Sequence, residues 1–278
     1  MASEKWSKAP KLSLWSGEGD GQGRTYVDPT DGDSRWPSVT TVLKHEPKDL
    51  SQWSATKVAE KARDFPEIAL GDPDLVVQRL QYARNEFRDE RAEVGTGVHA
   101  WFQAQHEGTW DYPELDDEQV AMTERLEEFL VDWKVRIIWV ERTVRGLNFM
   151  GTGDILAEVT DTLTGETFIV LIDIKTSRNL WETNDMQLAA LGHGLYTLVE
   201  VPEGTEGAFR RKGKTKKFDS WWIREEAPKW DMLAKLHVRE DFYDLVPVDP
   251  RLIDLHYEKF LRYVDIQDIE QRKKEAVK

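Results

Sequence analysis

Five consecutive apolar residues, Phe168-Ile169-Val170-Leu171-Ile172, run directly into Asp173-Ile174-Lys175. A run this short and this rich in β-branched residues reads as a strand buried on both faces. Such a strand needs a neighbour on each edge and a layer on each side, which points to a sheet with helices packed on it. The preceding apolar stretch, Ile155-Leu156-Ala157-Glu158-Val159, reads as one of those neighbours, joined through Asp161-Thr162-Leu163-Thr164-Gly165-Glu166. A four-residue loop there pairs Asp161 with Glu166, so that paired residue numbers sum to 327. On that register Asp154 stands opposite Asp173 with both side chains on one face, about 5 Å apart. A slip of one residue would move one of them to the other face.

The rest of the chain supplies the layers. Ser38 is placed to cap a short helix starting at Val39. Helical stretches are expected at about 51–63, 73–106 with a break near Asp89, 116–134 opening at Asp116 or Asp117, 184–199 and 249–272. Val135-Arg136-Ile137-Ile138-Trp139-Val140 reads as a further strand, and hairpins are expected over 207–223 and from Leu233 to Val248. Gly17 to Gly23 reads as a loop. No repeat and no clear linker occurs. The expectation is therefore a mixed α+β fold: a short mixed sheet flanked by helices, with a helical N-terminal part and added hairpins. An extension over 1–35 precedes a single domain over 36–278. That domain divides into helices (36–134), a core (135–200), hairpins (201–248) and a final helix (249–278).

Composition limits the chemistry. The chain has no cysteine, which removes disulfides, thiolate zinc sites, cysteine nucleophiles and cysteine-held iron–sulfur clusters. Any metal must be held by oxygen and histidine. A net charge of −14 argues against a non-specific nucleic-acid coat, yet residues 205–224 carry a net +5. No stretch approaches the ~20 apolar residues needed to span a bilayer, and the first residues contain no apolar signal region. No membrane association and a cytoplasmic location are expected, the host's cytoplasm if the chain is phage-encoded.

The pair Asp154 and Asp173 is where chemistry concentrates. Like charges facing each other are destabilising, and a divalent cation between them reverses the sign. Lys175 follows Asp173 on the same face, while Ile174 turns towards the core and offers its backbone carbonyl. Carboxylates, a carbonyl and waters suit Mg²⁺, and Lys175 can position a water or neutralise phosphate oxygens during phosphodiester hydrolysis. A buried strand that merely ends in a solvated Asp-x-Lys is the alternative. Upstream, Gly95 and Gly97 sit inside a helical stretch at a cost of roughly 1 kcal/mol each, a sign of close backbone approach. His99 follows them as either a metal ligand or a satisfied core histidine. Gln187 is either a site residue or the N3 member of a capping box opened by Asn184. Glu141 reads as an outward charge on an edge strand, with a further acid near the metal as the alternative.

The order of these motifs, Gly-x-x-x-His (95–99), Gly-x-x-Asp (151–154), Asp-x-Lys (173–175) and a helix carrying Gln-Leu-Ala-Ala (187–190), resembles the RecB-type branch of the PD-(D/E)XK nuclease superfamily, especially its exonuclease-like bacteriophage members. The resemblance spans about residues 36–265 and also takes in Pro37-Ser38-Val39-Thr40 and the C-terminal hairpin. It implies a restriction-endonuclease-like core at 135–200. His99, Asp154 and Asp173 would hold the metal, Lys175 would be the catalytic lysine, and Gln187 would support the site or touch DNA. The implied cofactor is Mg²⁺, for which Mn²⁺ can substitute; members with an iron–sulfur cluster are excluded. Where the family helix usually has a tyrosine, this chain has Leu191, and Tyr196 lies farther along.

For the substrate, Arg210, Arg211, Lys212, Lys214, Lys216 and Lys217 are candidate phosphate contacts, and Trp221 and Trp222 beside them can stack on unpaired bases. A solvated hairpin tip is the alternative. The resemblance implies a metal-dependent DNA nuclease, an exonuclease of recombination, replication or repair, with a single-strand annealing protein as a partner by family analogy. The other reading is a catalytically silent DNA-binding or scaffolding protein on the same fold. The intact set Asp154, Asp173 and Lys175 separates the two.

Overall fold

The computed structural model describes residues 15–16, 24–47, 49–107, 113–212 and 219–277. The glycine-rich loop at 17–23 and the basic residues Lys214, Lys216 and Lys217 lie outside the described residues. The described residues open with β1 (Trp15–Ser16), β2 (Thr25–Asp28) and β3 (Ser34–Pro37), an antiparallel three-stranded sheet in that order. Ser38 then caps α1 (Val39–Val42), its Oγ accepting the Thr41 N–H at 3.0 Å, and a 3₁₀ turn follows at Leu43–His45. The helical part comprises α2 (Ser51–Asp64), α3 (Pro66–Ala69), α4 (Pro73–Leu80), α5 (Ala83–Glu107) and α6 (Asp117–Asp132). A meander of β4 (Arg136–Gly146), β5 (Phe149–Thr160) and β6 (Thr167–Lys175) leads to α7 (Glu182–Gly192). The chain continues through β7 (Tyr196–Val201), β8 (Phe209–Arg211), β9 (Ser220–Glu226), β10 (Met232–Val238) and β11 (Tyr243–Pro247) and closes with α8 (Ile253–Ala276).

The fold is mixed α+β. Eight strands form one sheet in the order β11-β10-β6-β5-β4-β7-β9-β8, in which β6 and β10 are parallel and the other neighbours antiparallel. Strand β6 lies inside the sheet, as its apolar run requires. Its side chains alternate: Val170, Ile172 and Ile174 join a core with Val98, Phe102, Leu126 and Phe129 of α5 and α6. Leu171 joins the core made with Val39, Leu188, Leu191 and Phe260 of α1, α7 and α8. The pleat therefore turns Asp173 towards α7. The β5–β6 register keeps the sum of 327 from Ile155↔Ile172 to Thr160↔Thr167. It is fixed by its turn: the Asp161 N–H donates to the Glu166 carbonyl at 2.8 Å, Asp161 Oδ1 accepts the Leu163 and Thr164 N–H groups, and Gly165 takes φ +78°. No described helix is long and apolar enough to cross a membrane.

Three expectations change. The helical break falls at residues 81–82, between α4 and α5, so Asp89 lies inside an unbroken α5. The stretch at 184–199 divides into α7 and β7. Gly192 and Gly194 bracket the helix end, where the His193 N–H still reaches the Ala189 carbonyl, and Thr197, Val199 and Val201 then favour a strand. The boundary drawn at residue 35 falls inside β3. Tyr26 of β2 packs with Met150, Leu198 and Trp222 of the main sheet, so β2 and β3 are part of the packed structure.

Candidate active site

Strand pairing brings three acids into one row. Val140↔Ile155 and Arg142↔Gly153 are partners across β4 and β5, which sets Glu141 opposite Asp154. The β5–β6 ladder ends at Ile155↔Ile172, and the same register carried one residue further sets Asp154 opposite Asp173. Glu141 departs from strand geometry with φ +46°, the left-handed region that costs an L-residue about 1–2 kcal/mol. Strand β4 lies between β5 and β7, whose pairing with it runs from Thr143 to Arg145, and the side chain of Glu141 turns inward rather than standing out as a surface charge. Its side chain is only 20% exposed and faces His99.

His99 arrives from α5. The close approach signalled by the glycines is real at Gly97, where a Cβ would lie 2.3 Å from Gln119 Nε2. Gln119 is pinned there by the α6 capping box with Asp116 and by donating to the Glu93 and Val94 carbonyls. A Cβ at Gly95 would meet Thr176 Oγ1 at 3.0 Å. The helix thus lies against both α6 and the end of β6, and the His99 ring enters the row of acids. Its Nε2 is 3.2 Å from the Ile174 carbonyl, which can only accept, so Nε2 carries a proton. Its Nδ1 is 3.6 Å from both Glu141 Oε1 and Asp154 Oδ2. The Ile174 carbonyl therefore orients the histidine, a role that the sequence does not announce.

His99, Glu141 and Asp154 each place a ligand atom within 4.8 Å of the others, and they are the metal-capable group found among the described residues. Asp173 is directed elsewhere. Its Oδ2 lies 2.5 Å from Lys175 Nζ and its Oδ1 accepts from Gln187 Nε2 at 2.9 Å, while Lys175 Nζ donates to Gln187 Oε1 at 3.3 Å. Asp154 Oδ2 also accepts the Ile174 N–H at 2.8 Å, which ties the two central strands together. Gln187 is thus a site residue and not a capping residue. The helix starts earlier, at Glu182, and Asn184 Oδ1 accepts the Trp181 N–H at 2.7 Å.

Electrostatics follow from burial. Desolvation would lower the His99 pKa, but the Asp154 and Glu141 carboxylates raise it to about 9. Burial raises Asp173 to about 6 against the opposing pull of Lys175, and raises Asp154 against His99. Burial would lower Lys175, yet Asp173 and Asp154 hold it above the usual lysine value. An imidazolium and an ammonium offset two of the three acids. A divalent cation could replace the His99 proton, and an oxygen-and-nitrogen donor set of this kind fits Mg²⁺ or Mn²⁺.

The row continues one strand further to a residue that sequence reasoning missed. Lys235 of β10 is the cross-strand partner of Asp173, is 6% exposed, and pairs with Asp185 of α7. Its signal was a single charge inside the apolar strand Met232–Val238. Leu191, where the resembled family has tyrosine, is buried in the core beside Gly151 and offers the site no polar atom. Tyr196 does not replace that tyrosine; its hydroxyl donates to Asp28 Oδ2 at 2.5 Å.

The described strands of the hairpin expected to contact DNA stand apart from these residues. Strands β9 and β8 are the second and third strands beyond β4. Arg210 donates to Asp219, and Arg211 is half-buried with its pKa lowered by desolvation. Lys212 is exposed. Trp222 is 2% exposed, packs with Tyr26 and Met150, and donates its indole N–H to Ser220 Oγ at 2.8 Å, so it cannot stack on a base. Trp221 is half-buried and paired across the strands with Arg210. Comparison of the chain with protein-family models and with curated proteins finds no match.

Proposed function

We propose that this protein is a metal-dependent deoxyribonuclease that hydrolyses phosphodiester bonds, acting as an exonuclease in DNA recombination, replication or repair. The observation that carries this is the row Glu141, Asp154 and Asp173 across three adjacent strands, with His99 and Lys175 closing on it. Such a row is electrostatically costly without a cation. His99 and the Glu141 and Asp154 carboxylates would hold Mg²⁺, or Mn²⁺ in its place, with Asp173 beside it. A bound divalent ion supplies an activated water and charge stabilisation at the phosphate. Lys175 keeps its proton next to Asp173 and presents a cation to phosphate oxygens or a hydrogen bond to the attacking water. Gln187 bridges Lys175 and Asp173 and so fixes the ammonium relative to the carboxylates. Glu141 supports the reading separately. A non-glycine residue held at φ +46° in a strand is strained, and that strain directs its carboxylate at His99.

The test is incubation of the purified protein with end-labelled linear duplex, linear single strand and covalently closed circle, in Mg²⁺ or EDTA. Loss of the linear substrates in Mg²⁺ alone, abolished by Asp173→Ala and by Lys175→Ala, with the circle spared, is the expected result. Cutting of the circle would replace exonuclease by endonuclease. DNA binding without cleavage in Mg²⁺ or Mn²⁺ would return the catalytically silent binding protein.

A further inference from the structure

Helix α5 does more than deliver His99. At about 100° per residue, Arg84, Arg88, Arg91, Gly95 and His99 fall within one stripe about 80° wide. Glu86, Asp89, Glu90 and Glu93 all lie on the opposite side of the helix. The charges of this helix are therefore sorted by face, and the positive face leads to the site. Arg84 and Arg88 are exposed; the Arg84 guanidinium lies 5.9 Å from the Trp53 ring centre, and Arg88 contacts its neighbour Asp89. Arg91 is held by both oxygens of Glu118 and reaches towards the Thr176 carbonyl at 3.5 Å. Arg239, following β10, donates to that same carbonyl at 2.6 Å. Two guanidinium groups thus flank the residue directly after Lys175. From His99 to Arg84 the helix covers about 22 Å at ~1.5 Å per residue, the span of about six phosphates at ~3.4 Å each.

Resting on the nuclease reading above, we infer that the DNA backbone runs from the acidic row past Arg91 and Arg239 and along α5 over Arg88 and Arg84, and not over the β8–β9 hairpin. The packing of the hairpin agrees with this: Trp222, the aromatic beside its basic residues, is buried and presents no ring to a strand. The acidic face of α5 would repel a strand that strayed from the stripe, which sets one path.

The experiment measures binding of a labelled single strand of about 16 nucleotides in EDTA, so that cleavage plays no part, over a range of salt. The proteins are wild type, Arg84→Ala/Arg88→Ala and Arg210→Ala/Lys212→Ala. All four side chains lie on the surface, and unchanged thermal unfolding checks the fold. The stripe variant is expected to lose about tenfold or more in affinity near 0.1 M salt, with the slope of log affinity against log salt reduced by about 1.4, or 0.7 for each phosphate no longer neutralised. The hairpin variant is expected to bind as wild type does. Wild-type binding by the stripe variant overturns the path and leaves the nuclease reading standing. A loss of affinity in the hairpin variant only moves the path to the hairpin and also overturns it. Failure of the wild type itself to bind overturns the path, and if it also cleaves none of the three DNA substrates in Mg²⁺ or Mn²⁺ the nuclease reading falls with it.

Discussion

Glu141 gives a prediction whose sign differs from the usual rule. In an ordinary strand position glycine is less stable than alanine by roughly 0.5–1 kcal/mol, because it loses more conformational freedom on folding. At φ +46° an alanine bears about 1–2 kcal/mol of left-handed strain that glycine does not. Glu141→Gly and Glu141→Ala remove the same carboxylate and the same interaction with His99, so their difference isolates the backbone. Glu141→Gly is expected to be the more stable by about 1 kcal/mol, or about 2 °C in Tm for a chain of this size. Both variants should also lose metal-induced stabilisation. A ligand at a hundredfold excess over its Kd stabilises by about 2.7 kcal/mol, and each tenfold loss of affinity removes up to about 1.4 kcal/mol of that. Thermal and urea unfolding of the two variants and wild type, in EDTA and in Mn²⁺, reads both effects. A more stable alanine variant would refute the left-handed backbone at Glu141. A wild-type Mn²⁺ shift in either variant would refute its place at the metal.

The remaining predictions concern other parts of the site. Gly97→Ala should lower stability by about 1–3 kcal/mol, because its Cβ displaces the hydrogen-bonded Gln119 amide; urea unfolding measures this, and Gln119→Ala in the same chain should recover part of it. Without metal, His99 contributes stability that is fully present below its unfolded value near 6.5 and is lost as pH rises through about 9. Asp173 adds a loss in a lower window: its folded pKa of about 6 exceeds its unfolded value near 3.8, so stability falls as pH rises between them. Urea unfolding in EDTA should show both declines, with His99→Gln removing the upper and Asp173→Asn the lower. Lys235→Met should leave Asp185 without its buried partner and slow cleavage of linear DNA by disturbing α7, while Lys235→Arg preserves most of the rate; single-turnover kinetics compares the two.

How much of this is legible in the sequence depends on whether a local signal fixes the geometry. The register that opposes Asp154 and Asp173 is readable because Asp161 and Gly165 leave one loop length. Gly97 marks the close approach to α6 because no other residue fits against Gln119. Glu141 is misread because its position depends on a left-handed residue with no glycine or asparagine to announce it, and because β4 acquires its outer neighbour only through β7. That strand is hidden inside an expected helix unless Gly192 and Gly194 are read as a stop. Gln187 has a local competitor, the capping box, and only the helix start at Glu182 removes it. Trp222 illustrates the opposite error: an aromatic beside basic residues looks exposed, and packing against Tyr26 across a long sequence separation buries it.

The most direct measurement is anomalous diffraction from crystals of the protein grown with Mn²⁺. One peak bounded by His99 Nδ1, Glu141 and Asp154, adjacent to Asp173 and absent in Asp154→Asn, is the predicted result. Strong diffraction with no peak there at millimolar Mn²⁺, or a peak that persists in Asp154→Asn, would contradict a metal-dependent centre built on this row.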